Sequence, residues 1–358
     1  MKSAKNIVIL TPGFPESNED TTCIPALQLF IKELNVQYGH YAHIQVVAFQ
    51  YPFTMGSYVW NGIPCFSAGG NNTKFPGRWK TWTTVMKFLR KYHEQNPIDI
   101  IHAFWLTECA LVGRWVSVLT RAKLICHVMG QDVLPSNKYM KYLKLKDAII
   151  IANSPNSADS LKKNFKIQAH HIVPFGIVPF DFSEHESGNI RAIDVLGVGS
   201  LSQIKNYMLF VDIFVKLKNE FPYLSGRIIG EGPLLAELKE QIGDYKLKDS
   251  LTLTGKLSRT DVLQNMASSK ILLHTSGYES AGYVFLEALY SGMKVVSFNT
   301  GFLPNVPGAY PCNSSDELYK AMHSLLTYRQ EYNRKEVPLM ADTVQAVIKI
   351  YDRHLSKT

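Results

Sequence analysis

Cysteine is scarce in this 358-residue chain: there are five, Cys23, Cys65, Cys109, Cys126 and Cys312, and no two form a C-x-x-C pair. An odd, scattered set excludes a disulfide framework and a cysteine zinc site, and leaves reduced, mostly buried thiols. Long apolar runs are also missing. None approaches the roughly 20 residues needed to cross a bilayer, and the opening run Asn6–Leu10 is too short for a secretory leader. The expectation is a cytoplasmic protein, soluble or peripheral on the inner face of the cell membrane. No repeat or low-complexity tract interrupts the chain. Acidic residues are thin in one half. Residues 1–180 hold 19 Lys+Arg against 10 Asp+Glu, leaving 19 and 20 to the rest, so the whole formal excess of +8 lies in the first half. That half suits an anionic partner: a membrane surface, a lipid-phosphate acceptor or nucleic acid.

What is present is an alternation of short apolar runs and amphipathic stretches, long enough for two domains of about 150–200 residues each. Its most informative segment runs from His274 to Val296. Lys270–His274 reads as a buried strand, Thr275–Gly282 as a loop, Tyr283–Tyr290 as a helix stopped by Ser291-Gly292, and Lys294–Phe298 as the next strand. This is one βαβ step of a parallel sheet. Glu279 lies in the loop and Glu287 on the helix. Ser280, Ala281 and Gly282 let backbone approach a ligand closely. The helix start offers unpaired N–H groups and a positive dipole end, a natural anion site. Five residues of helix carry Glu287 about 7.5 Å beyond Gly282. A diphosphate on the helix start would leave Glu287 near a ribose and Glu279 near a sugar.

This arrangement resembles the E-x7-E motif of retaining nucleotide-sugar glycosyltransferases of the GT-B fold, family 4. The resemblance implies that Glu287 binds ribose hydroxyls, Glu279 contacts the donor sugar, and the backbone at Ser280, Ala281 and Gly282 holds phosphate. Gly199-Ser200-Leu201 with Lys205-Asn206 resembles the family's G-R-L-x-x-x-K-[GN], in which Arg and Lys hold the diphosphate. Lys205 matches, while Ser200 occupies the Arg position, so an Arg from elsewhere or weaker donor binding is implied. Gly230-Glu231-Gly232-Pro233 resembles the G-x-G-P turn. Leu251–Leu257 resembles the strand before the nucleobase region, where the backbone at Lys256 and Leu257 faces the base. The first half resembles the family more loosely. Gly13 stands in the loop after strand one. Asp99–His102 resembles the D-[IV]-[IV]-H step. Gly130 and Asp132 match an H-G-x-D turn whose first position is Met129, so His127 or His102 is implied as its substitute. The resemblance implies no metal and no cofactor beyond the nucleotide-sugar co-substrate, and no Asp-x-Asp pair occurs in the chain.

The expected architecture is α/β: a GT-B fold of two doubly wound Rossmann-like domains facing a cleft. Residues 1–180 would bind the acceptor and 181–335 the nucleotide sugar, with 181–189 as linker. Residues 336–358, part of a helix read over 335–354, would pack back on the first domain. The helix read over Arg78–Gln95 carries Trp79, Trp82, Met86, Leu89 and His93 along one side and basic residues on others. It suits a core-facing helix or one lying on an anionic bilayer. The expected function is sugar transfer to a glycan or lipid-linked acceptor in cell-envelope polysaccharide synthesis. A sugar-nucleotide epimerase, a non-catalytic sugar-nucleotide-binding protein and a nucleic-acid binder remain open. No recognition helix or stacking platform supports the last, and no nucleic-acid partner is expected.

Overall fold

Apolar runs without strict alternation are what parallel strands buried on both faces require, and they build both sheets of this protein. The computed structural model describes residues 4–182, 191–301 and 306–355. Its chain divides into Met1–Phe175 with Met340–Thr358, and Gly176–Leu339. Each is a Rossmann-like α/β unit, described in turn.

The first unit contains β1 (Lys5–Gly13), α1 (Pro25–Tyr38), β2 (Ala42–Tyr51), β3 (Gly56–Trp60), β4 (Ile63–Ser67), α2 (Arg78–Gln95), β5 (Ile100–Phe104), α3 (Glu108–Thr120), β6 (Lys123–Val128), β7 (Ile149–Ala152), α4 (Pro155–Phe165) and β8 (His171–Ile172). The sheet order is β3-β4-β2-β1-β5-β6-β7-β8. Its pairs are parallel except the hairpin of β3 with β4. Ile7 to Leu10 are wholly buried. One face of the sheet, with Leu10, Val47, Ile101 and Leu124, takes Trp82, Val85 and Leu89 of α2 and Val112 and Val116 of α3. The sequence reading leaves α3 unassigned. Gly113 and its β-branched neighbours have weak helix propensity, yet the glycine is what admits the helix. A Cβ there would stand 3.2 Å from Leu10 and 3.3 Å from Leu124.

The second unit contains β9 (Ile193–Val198), α5 (Tyr207–Glu220), β10 (Gly226–Ile229), α6 (Leu235–Asp244), β11 (Leu251–Leu253), α7 (Arg259–Ala267), β12 (Ser269–His274), α8 (Tyr283–Tyr290), β13 (Lys294–Phe298), β14 (Ala309–Cys312) and α9 (Ser315–Thr327). The order is β11-β10-β9-β12-β13-β14, all parallel. Residues 299–313 read as loop in sequence, but their last residues form β14. Its Pro311 lacks a ladder donor and is tolerated because β14 is the edge strand. From residue 183 the expected linker lies outside the described residues.

The last helix, α10 (Met340–Leu355), starts five residues later than the sequence suggests. Pro338 disfavours helix at the residue before it, and its carbonyl accepts from Ile177 N–H at 2.9 Å. Met340, Val344, Val347 and Tyr351 form a buried stripe that faces α1, where Tyr38 Oη donates to Asp352 at 2.5 Å. Tyr351 Oη also lies 2.6 Å from His102 Nδ1. His102 stacks on His127 at 5.5 Å, and neither imidazole reaches solvent. Burial disfavours the imidazolium, pushing His127 down to about 3 and His102 well below its ordinary value, the latter also through the neighbouring His127.

In the unfolded chain both imidazoles protonate near pH 6.5, and each tenfold difference in proton affinity between the two states is worth about 1.4 kcal/mol. Below that pH the unfolded state binds more protons, so stability falls as pH drops from about 6.5 towards 3. Urea unfolding of the protein from pH 8 to pH 4 should show this decline, and His127→Phe should flatten it. An unchanged slope in the variant would refute the assignment.

Candidate functional site

The second unit's site forms at the carboxyl end of β12, where an open α/β sheet presents ligands. The loop after His274 is stapled to the turn before α5. Ser276 Oγ and Gly277 N–H both donate to the Ile204 carbonyl at 3.0 Å. Thr275 Oγ1 lies within hydrogen-bond reach of the Lys205 and Asn206 carbonyls, at 3.0 and 2.9 Å. These bonds bring together two side chains 74 residues apart: Lys205 Nζ donates to Glu279 Oε1. His274 Nε2 shares the same oxygen at 2.8 Å. Burial alone would raise the Glu279 carboxyl. The His274 hydrogen bond and the Lys205 charge outweigh burial and hold it at about 2. Glu279 is therefore an anion at any physiological pH. Burial lowers His274, so it is neutral near pH 7, and its Nε2–H donates a hydrogen bond to the carboxylate.

Beyond Glu279 the chain turns into α8 through Gly282, at φ 70° and ψ 57°. As N-cap, Gly282 brings no side chain to the helix start, where backbone N–H groups and the positive end of the dipole lie. A Cβ on Gly282 would stand 2.4 Å from the Phe285 ring, so the position admits glycine alone. Ser280 is buried, and Ala281 lies against Gly301. Glu287, one turn into α8, is 7% exposed. Its Oε1 accepts from Arg259 Nη1 at 2.5 Å, while Arg259 Nε donates to Asp181 at 3.1 Å. Burial pushes the Glu287 carboxyl up, and the guanidinium beside it opposes that rise.

The remaining donor-side residues divide between backbone packing and the surface. Gly199 N–H bonds the Ile229 carbonyl, and Leu201 N–H bonds the Glu231 carbonyl at 2.8 Å. A Cβ on Gly230 would lie 1.9 Å from the Gly199 carbonyl oxygen, and one on Gly232 would lie 2.4 Å from that of Leu201. These glycines let two turns touch backbone to backbone. Ser200 is exposed, 3.4 Å from the Ser202 hydroxyl. Lys256 is exposed and Leu257 half-buried on the turn after β11.

The first-unit candidates lie on that unit's own strands and turns. His102 and His127 lie in the sealed stack of β5 and β6 and present no atom to solvent. Gly13 ends β1 beside Cys23 and Tyr51. Asp132 is 3% exposed and accepts from Leu106 N–H at 2.8 Å and Gly130 N–H at 2.6 Å. It ties the turns after β5 and β6 together. Sequence reasoning missed His274 and Arg259. His274, five residues before Glu279, is a polar residue closing an apolar strand, a signal that was available. Arg259, 28 residues from its partner, left none.

Residues 183–335 match the family described as Glycosyl transferases group 1. The chain is similar to alpha-monoglucosyldiacylglycerol synthase of Streptococcus pneumoniae, at 22% identity over 257 residues, which is 64% of this chain and 57% of that protein. It thus spans little more than half of that relative's length. Among solved structures, sucrose-phosphate synthase from Thermosynechococcus elongatus aligns at TM-score 0.75 and 15% identity, over 99% of this chain and 100% of the other. Anabaena HepE, in complex with UDP-glucose, aligns at TM-score 0.68 and 18% identity, over 98% of each chain. The fold is therefore GT-B, with two Rossmann-like domains.

Removing Arg259 leaves Glu287 and Asp181 without their counter-charge in a buried setting. Arg259→Met should cost about 3–5 kcal/mol in urea unfolding. Arg259→Met combined with Glu287→Met should recover much of that loss. A single variant as stable as the parent would show that the ion pair is incidental.

Proposed function

We propose that the protein, whose residues 183–335 match the family described as Glycosyl transferases group 1, is a retaining family 4 glycosyltransferase using a nucleoside-diphosphate sugar. One observation carries the reading: Lys205, Glu279 and His274 converge in the loop that leads through Gly282 into α8. The diphosphate binds the N–H groups at this helix start and takes Lys205 as its counter-ion in exchange for Glu279. Freed of the lysine, and still oriented by His274, Glu279 accepts hydroxyls of the donor sugar. Glu287, held by Arg259, accepts a ribose hydroxyl. Leu257 and Lys256 lie towards the base. The glycosidic C–O bond breaks with its electron pair leaving on the diphosphate. The acceptor hydroxyl oxygen attacks the same face of the anomeric carbon, and its proton passes to the departing phosphate oxygen. Lys205 and the helix dipole are fixed where negative charge develops. No metal ion and no covalent enzyme intermediate is invoked.

The acceptor belongs to the first unit, whose excess of positive charge favours a lipid-linked phosphate or anionic glycan at the inner face of a membrane. The contact proposed is peripheral; among the described residues no helix is long and apolar enough to cross a bilayer. The diacylglycerol named for the streptococcal relative supports a lipid acceptor, in glycolipid or envelope polysaccharide synthesis. A non-catalytic nucleotide-sugar-binding protein is the second reading. It is favoured by Ser200, which leaves an uncharged hydroxyl where the family carries an arginine.

A thermal-shift panel of nucleoside-diphosphate sugars tests donor binding, because a ligand of the native state raises Tm. At least one donor should raise it, and Lys205→Ala should remove the rise. Glu279→Ala should lower sugar transfer about a hundredfold, equivalent to about 2.7 kcal/mol. Full transfer after that substitution would overturn the mechanism, and donor binding without transfer to any acceptor would favour the second reading. Sedimentation with anionic liposomes should succeed at low salt and fade as salt screens the basic unit.

A further inference from the structure

A cavity of about 590 Å³ opens in the first unit, between α2, α3 and the segment following β6. Trp79, Trp82 and Trp115 form a triangle there, with ring centroids 5.7, 5.8 and 6.1 Å apart. Phe75 stands edge-on to Trp82 at 5.3 Å, and Tyr139 lies 6.2 Å from it. At the rim Trp79 is 54% exposed and Phe75 63%. Large rings left in water around a concave space mark a binding site more often than a core.

The pocket is held in shape by a charge beneath it. Glu108, at the start of α3, is 3% exposed. It accepts from Trp82 Nε1 at 2.6 Å and from Gln50 Nε2 at 2.7 Å, and Arg78 Nε lies 3.8 Å away. Arg78 Nη1 donates to Tyr139 Oη at 2.8 Å. The polar edge of Trp82 is thus turned inward, which leaves its ring face apolar, and Arg78 is fixed in place. Arg78 and Lys138 line the cavity, and no carboxylate or amide side chain does.

This lining selects its occupant. A sugar ring stacks on indole, but its hydroxyls need acceptors, and the nearby carboxylate is already committed to Trp82 and Gln50. A bare phosphate has no use for three indoles. Hydrocarbon beside an anion satisfies both the rings and the two cations. The pocket is built from the first turn of α2, the first two turns of α3 and residues 138–142, and both helices start at the carboxyl edge of the sheet, where α/β folds take ligands.

We propose that this pocket seats one phosphate-bearing lipid, with its hydrocarbon on the indoles and its phosphate on Arg78 and Lys138. Its role as an acceptor subsite rests on the glycosyltransferase reading, whereas the binding itself does not.

Calorimetric titration of the full chain with monomeric dioctanoyl phosphatidic acid, below its micelle-forming concentration and without nucleotide, tests the binding. Dioctanoylglycerol, inorganic phosphate and maltose serve as comparisons. Trp79→Ala and Lys138→Glu alter exposed side chains, and an unchanged Tm confirms that each folds. Each should weaken phosphatidic acid at least tenfold, and dioctanoylglycerol should bind at least tenfold more weakly than the acid. The proposal is overturned if the neutral lipid binds equally, if maltose binds with the same sensitivity to both variants, or if both variants keep parental affinity. A donor-induced Tm rise without lipid binding would remove this pocket and leave the transferase reading standing. Lipid binding with no donor response would do the reverse.

Discussion

The second unit depends on the backbone staple between the turn at Ile204–Asn206 and the loop at Thr275–Gly277. Two hydroxyls and one N–H from one loop occupy carbonyls of the other. An unpaired buried carbonyl is costly, so these bonds fix the two loops to each other. Lys205 and Glu279 then have little choice but to meet. The ion pair is thus a consequence of loop geometry, and its charges stand ready at the start of α8 before any ligand arrives. A site that keeps its dipoles oriented in advance has little reorganisation left to do when charge moves.

The two carboxylates of the loop-and-helix motif occupy different electrostatic settings. Glu279 has a lysine and a neutral imidazole on one oxygen and is strongly acidic. Glu287 is deeper, with one guanidinium partner that it shares with Asp181. The first suits partners that come and go. The second suits a fixed acceptor.

Much of the fold was readable because the relevant signals are local. The bounds of α8 follow from Gly282 before it and Ser291-Gly292 after it, and those of α2 from an apolar stripe of regular period. α3 was not readable, since its helix is set by contact with Leu10 and Leu124 across the sheet. β14 was hidden by Pro311, which only an edge position tolerates. At the site, the residues of the Glu279 loop and Lys205 carried local patterns. Arg259 did not, because its partners are reached only through tertiary packing. The side of α2 that carries Trp79 and Trp82 was legible, whereas its meeting with Trp115 on α3 and Tyr139 beyond β6 was not.

The contact between Gly230 and the Gly199 carbonyl restricts how this protein can be changed. Any side chain at 230 would collide with main-chain oxygen, which cannot rotate away as a flexible side chain can. The same holds at 232 against Leu201. The floor beside the helix start is thus closed to mutational tuning. Side-chain changes there are accommodated at exposed neighbours such as Ser200, Glu231 and Lys256.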